Sequence, residues 1–80
     1  MAAAPLSEIT KTFGARIRAR RTELGLSQEQ LAEASGLHWT YVSQTERGQR
    51  NVSLHNIVKI ADALDIDAGQ LVTGLHVPAD

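Results

Sequence analysis

The segment from Leu26 to Leu54, LSQEQLAEASGLHWTYVSQTERGQRNVSL, decides how this chain folds. Ser27-Gln28-Glu29-Gln30 has the form of a capping box: the Ser27 hydroxyl takes the amide of Gln30, and the Gln30 side chain reaches back. A helix therefore starts there, and Leu31 and Ala32 give it an apolar side. It is short, because Gly36 follows Ser35 and adopts at low cost the left-handed backbone that ends a helix. From His38 to about Arg47 the pattern is helical again, with Val42 as the central inward residue and Gly48 as the stop. Two short helices joined by a minimal glycine-containing turn cross steeply, which presents the second as a protruding rod.

Working outward, a preceding helix begins near Ser7 or Thr10 and runs to Glu23. Ile9, Phe13, Ile17 and Leu24 recur there at helical spacing, and Gly25 supplies the stop. Its other face carries arginines. After the polar loop Arg47-Gly48-Gln49-Arg50-Asn51-Val52, Ser53 caps a further helix whose Leu54, Ile57, Ile60, Ala61 and Leu64 form one stripe. Asp67-Ala68-Gly69-Gln70 offers a capping pattern for a short last helix through Leu71 to Thr73. The chain reads as all-α: one compact five-helix domain over residues 1–80, with residues 1–6 as a flexible lead-in and 74–80 as a C-terminal tail.

Eighty residues can bury only a modest core, so efficient helix packing or a partner subunit is expected. There is no cysteine, which removes disulfides, thiolate metal sites and cysteine nucleophiles together. No apolar run approaches the roughly 20 residues that span a bilayer, and the opening Met1-Ala2-Ala3-Ala4-Pro5 lacks the pattern of a signal peptide. No membrane association is expected, and the cytoplasm is the default location. The net charge of −1 hides an uneven distribution. Residues 1–52 hold seven basic side chains (Lys11, Arg16, Arg18, Arg20, Arg21, Arg47, Arg50) against five acidic ones, a net of +2. The remainder sets Lys59 against Asp62, Asp65, Asp67 and Asp80, a net of −3. One end of the molecule is therefore basic and suited to face phosphates.

A protruding helix fits the major groove of DNA, which is wide enough for one α-helix. Counting roughly 100° per residue from Val42, Thr40 and Gln44 lie almost opposite the core, flanked by Ser43 and Arg47. All four form hydrogen bonds. Gln44 can pair with adenine, Thr40 and Ser43 with several base edges, and Arg47 with guanine or a phosphate. Trp39 and Tyr41, near the N-terminal tip, either stack on the nucleic acid or pack on the neighbouring helix. His38 falls nearer the Val42 side and reads as structural. Gln28, at a helix N-terminus where free amides favour an anion, is placed to clamp a phosphate. Arg50, Asn51 and Ser53 can hold the DNA backbone on the other side of the groove.

The same segment, from Leu26 to Leu54, resembles the Cro/C1-type (XRE-family) helix-turn-helix proteins, phage repressors and bacterial regulators. The resemblance rests on Gln28, Leu31-Ala32, Gly36, Val42 and Glu46-Arg47-Gly48 taken together, and it implies a lambda-repressor-like fold. Thr40-Tyr41-Val42-Ser43, Glu46-Arg47-Gly48 and Arg50-Asn51-Val52-Ser53 are further similar to the controller proteins of restriction-modification systems. That likeness implies a homodimeric regulator on paired operator half-sites, with Thr40 and Tyr41 on bases and Arg50, Asn51 and Ser53 on the backbone or groove. Controller proteins commonly carry arginine where this chain has Trp39, so its operator should differ. The resemblance also implies an ion pair between Arg21 and Glu46. Glu46 falls on the Val42 side of its helix, where an unpaired carboxylate is costly.

Rival functions have little support in the residues. His38, His55 and His76 are scattered, and no paired carboxylate, metal-ligand spacing or glycine-rich phosphate loop accompanies them, so neither an enzyme nor a metal or cofactor site is expected. The competing reading is an antitoxin, which binds a protein partner and also represses its own operon; only the tail or the first helix offers a segment for that partner. Ile66, Leu71, Val72, Leu75 and Val77 exceed what a five-helix core needs and are the expected homodimer interface. Double-stranded DNA and a second copy are thus the expected partners.

Overall fold

The computed structural model describes residues 3–79 as α1 (Glu8–Glu23), α2 (Gln28–Ser35), α3 (Trp39–Glu46), α4 (Leu54–Ala63) and α5 (Gly69–Val72), with no strand among them. Met1, Ala2 and Asp80, the outer ends of the expected lead-in and tail, lie outside the described residues. Short polar side chains set the helix starts. The Ser7 and Ser27 hydroxyls each accept the backbone N–H three residues on, at 3.1 Å, while Thr10 and Gln30 return the bond to the cap N–H. Ser53 caps α4 through the N–H of Asn56 at 3.2 Å. Gly36 ends α2 at φ +71°, the left-handed conformation that the turn into α3 requires. The Asp67 cap expected for the last helix does not form. Ala68 occupies the cap position without a side-chain bond, and α5 is a single turn held by the burial of Leu71.

Phe13, Ile17, Leu31, Ala32, Val42, Ile60, Ala61, Leu64 and Leu71 form the core. Burying each large member stabilises the fold by about 1.5–3 kcal/mol. Of the expected stripes, Ile9 and Ile57 are only partly buried and two residues are exposed. Leu24 is the C-cap of α1, where the chain turns away through Gly25, and its side chain is exposed. Leu54 opens α4 ahead of its first packed turn and is 76% exposed. In the other direction, Leu71 belongs to the core at 1% exposure, so it cannot serve in a dimer interface. Ile66 and Leu75 are half-buried against the core, while Val72 and Val77 are exposed.

The contact that positions α3 is its crossing with α1. A β-carbon on Gly14 would stand 2.3 Å from the carbonyl oxygen of Thr45 and 2.6 Å from that of Glu46, so only glycine allows the two helices to meet this closely. Gly48 repeats the device one turn on. It has φ +74°, and a β-carbon there would lie 2.9 Å from the backbone of Lys11. Its carbonyl accepts the Thr10 hydroxyl and the Leu6 N–H, each at 2.8 Å. The lead-in is tied to the same loop a second time, since Gln49 Nε2 donates to the Ala3 carbonyl at 2.7 Å.

Of the four α1 arginines only Arg18 is exposed; the other three are turned to partners within the fold, against the exposed basic face that the charge distribution suggested. Arg16 donates to the carbonyls of Leu71 and Thr73, at 3.2 and 2.6 Å, and Arg20 to that of Leu64 at 3.0 Å. These carbonyls close the C-terminal ends of α5 and α4, where helices leave acceptors unpaired and a cation is favoured.

Candidate nucleic-acid interface

The third helix begins on an unusual cap. His38 Nδ1 accepts the backbone N–H of Thr40 at 3.1 Å, so His38 serves the fold as an exposed cap and not by packing on the Val42 side. Its ring lies against the Trp39 indole, with centroids 6.3 Å apart and planes inclined by 25°. Trp39 is thereby held at the tip of the helix with half its surface, 50%, open to solvent. It does not pack away into the fold.

Behind this tip α3 is wedged between α1 and α2, and the buried arc is wider than a single neighbour would make it. Val42, Ser43, Thr45 and Glu46 are all buried. Ser43, expected on the recognition face, is largely buried at 8% exposure, well below Thr40 and Gln44. Thr40 and Gln44 keep partly open surfaces, and Arg47 is exposed.

Glu46 faces the other way and closes a buried polar knot. Arg21 Nε and Nη2 donate to its two carboxylate oxygens at 2.6 and 3.0 Å, a bidentate pair, and Arg21 Nη1 donates to the Leu26 carbonyl at 2.9 Å. The Glu46 side chain is only 2% exposed. The hydrogen bond to Glu46 raises the Arg21 pKa above its ordinary value, against the opposing effect of burial. Gln28 joins the knot through Nε2, 3.2 Å from Glu46 Oε1, so one N–H of the expected phosphate clamp is turned inward. Its carboxamide has a second N–H to offer.

The loop after α3 folds back over that helix. The Arg50 guanidinium carbon sits 4.8 Å from the centre of the Tyr41 ring, and Arg50 Nε donates to Gln44 Oε1 at 2.8 Å. Tyr41 is in turn held by Asn56 Nδ2, 3.1 Å from its hydroxyl. Tyr41 therefore packs, but against Arg50 and α4, not against α2. Asn51 and Ser53 are exposed beside this cluster. Asn56 went unremarked in the sequence: it sits in the first turn of α4, between Leu54 and Ile57 of the apolar stripe, and only tertiary packing brings it to Tyr41. Of the residues singled out on α3 and its loop, Tyr41, Gln44 and Arg50 are brought into direct contact, while Gln28 is drawn to Glu46.

A helix-turn-helix family model matches residues 17–71. The chain belongs to the Cro/C1-type helix-turn-helix family. Its members are DNA-binding transcription regulators. The chain is 42% identical over 66 residues to control protein C.SmaI of Serratia marcescens, covering 82% of this chain and 79% of that one. To control protein C.BamHI of Bacillus amyloliquefaciens it is 45% identical over 67 residues, covering 82% and 83%. Among solved structures, the restriction-modification controller protein C.AhdI from Aeromonas hydrophila superposes with a TM-score of 0.80 at 55% identity, covering 81% of this chain and 98% of that one. This helix-turn-helix regulator has close homologues among the restriction-modification controllers, as its Glu46-Arg47-Gly48 and Arg50-Asn51-Val52-Ser53 segments implied. No helix among its described residues is long and apolar enough to cross a membrane.

Proposed function

We propose that this chain is a sequence-specific transcription regulator that binds a palindromic operator as a homodimer, with α3 lying in the major groove. The observation that carries the reading is the division of α3 into two faces. One is locked against α1 and α2 through Gly14, Val42 and Glu46; the other presents Trp39, Thr40 and Gln44 outward, with Arg47 at its end. In this reading Trp39 stacks on a sugar or thymine methyl at the tip, and Thr40 and Gln44 address base edges. Tyr41 supports them from the α4 side. Arg47, Arg50 and Asn51 hold phosphates, Ser53 adds a hydroxyl, and the second N–H of Gln28 reaches a phosphate on the near strand. SinR, a master regulator for biofilm formation solved in complex with DNA, matches this chain at 35% identity with a TM-score of 0.71 over 74% of this chain and 95% of that one.

A second copy fits the apolar groups that the core leaves open. Val72 and Val77, with the half-buried Ile66 and Leu75, form one set; Leu54 and Val58 on α4 add a second that the sequence reading did not assign to an interface. A two-fold dimer sets its recognition helices about 34 Å apart and calls for inverted half-sites. The test is selection from random duplex DNA followed by sedimentation of the complex. The reading expects enriched inverted repeats bound by two copies, and weak enrichment by Trp39→Ala. Recovery of no consensus, or of a single half-site bound by one copy, contradicts it.

A further inference from the structure

Gln44 was read from sequence as an adenine reader, because a carboxamide can accept from adenine N6–H and donate to N7 at once. The geometry around it favours a different base. Arg50 Nε, 2.8 Å away, is a donor, and an arginine has no acceptor to offer, so the oxygen of the Gln44 carboxamide must face Arg50 and the NH2 must face away. The guanidinium is held in place on its other side by the Tyr41 ring, 4.8 Å from the guanidinium carbon, and Tyr41 is braced by Asn56 from α4 at 3.1 Å. Three elements therefore fix one amide orientation before any ligand arrives.

We infer that Arg50 is a positioning residue for Gln44, and that the pair presents a hydrogen-bond donor to the groove and so selects a base edge made of acceptors. Guanine, with N7 and O6, or thymine, with O4, meets that donor with acceptors alone; adenine sets an amino group beside its one acceptor, N7, and cytosine offers only an amino group. The inference rests on the reading of α3 as the recognition helix. It goes beyond it by naming the base class at one position and the residue that sets it. Arg50 has this effect through Gln44, whatever phosphate it also contacts.

The experiment is selection from random duplex DNA with the wild type, Gln44→Ala and Arg50→Ala, followed by competition binding with the four bases substituted at the position whose preference Gln44→Ala abolishes. The wild type should prefer guanine or thymine there over adenine by about tenfold, the scale of a good base contact. In Arg50→Ala the carboxamide is free to turn, and adenine should become at least an equal ligand at that position while preferences elsewhere in the site persist. A wild type that selects adenine, or an Arg50→Ala variant that binds every site more weakly with its preference at that position unchanged, overturns the inference and leaves the recognition helix standing. Failure of the wild type to enrich any sequence overturns the recognition reading and this inference with it.

Discussion

The arginines of α1 and the arginines that follow α3 are the same residue in two different employments. Arg16 and Arg20 are spent on the carbonyls that end α5 and α4, and Arg21 on the Glu46 carboxylate. Arg47 and Arg50 stand on an exposed loop surface, Arg50 stacked on Tyr41 and within reach of Gln44. The first group ties α1 to α3, α4 and α5; the second faces outward beside α3. Local charge counts cannot separate the groups, because the difference lies in which unpaired helix ends the fold brings within an arginine's reach. With net charge −1, the chain has few cations to spare, and it is the fold that decides which of them can face a polyanion.

The largest effect should come from breaking the buried member of the first group. Arg21→Ala leaves the Glu46 carboxylate sealed with only Gln28 as a hydrogen-bond donor, and thermal or denaturant unfolding should show a loss of about 3–5 kcal/mol. A change within about 0.5 kcal/mol would mean that the pair is dispensable to the fold. Because the Arg21 pKa is raised, the stability the pair adds is fully present below the ordinary arginine value and is lost only as pH climbs through the raised one. No fall in stability from this pair is expected around neutral pH.

Next comes the glycine that brings α1 onto α3. In Gly14→Ala the new methyl meets two backbone carbonyls that cannot rotate away, and a loss of about 2–3 kcal/mol is expected by the same measurement. A variant as stable as the wild type would show that the helices can separate at no cost, and that α3 is not held where the account needs it.

The smallest effects sharpen the comparison itself. Arg47→Ala should leave the melting transition unchanged, weaken DNA binding about tenfold at moderate salt, and reduce the slope of log affinity against log salt by about 1 per protomer. Arg16→Ala should do the reverse, costing about 1 kcal/mol of stability through the lost carbonyl bonds while leaving the salt slope unchanged. If both variants changed the slope alike, the division between structural and outward arginines would be wrong.

Much of the fold was legible because its signals are local. Ser27 with Gln30, Gly36 and Ser53 set helix boundaries through bonds that span three residues or a single backbone angle. The core stripe through Phe13, Ile17, Ile60, Ala61 and Leu64 follows from helical period alone. The errors share one physical origin. Ser43 was placed by rotation about a single helix axis, but α3 packs on more than one neighbour, and Leu71 was counted as surplus to the core because α5 is too short for its own period to say which side is covered. Gly14 carries no signal in a helical pattern except a slight weakening of it, and its meaning appears only when Thr45 arrives from the other helix. The site was legible as a set of residues and not as a set of orientations: Tyr41, Gln44, Arg50 and Asn56 acquire their roles from contacts between α3, its loop and α4.

The most direct test of the account is to map where DNA touches the protein. Amide and indole chemical shifts followed by NMR, as a selected duplex is titrated into the labelled protein, should move most for Trp39, including its indole N–H, for Thr40, Gln44 and Arg47, and for residues 50–53, with Arg16 and Arg20 little affected. Shifts concentrated instead on the α1 surface around Arg16 and Arg18, or on α5 and the residues after it, with the outer face of α3 silent, would contradict it.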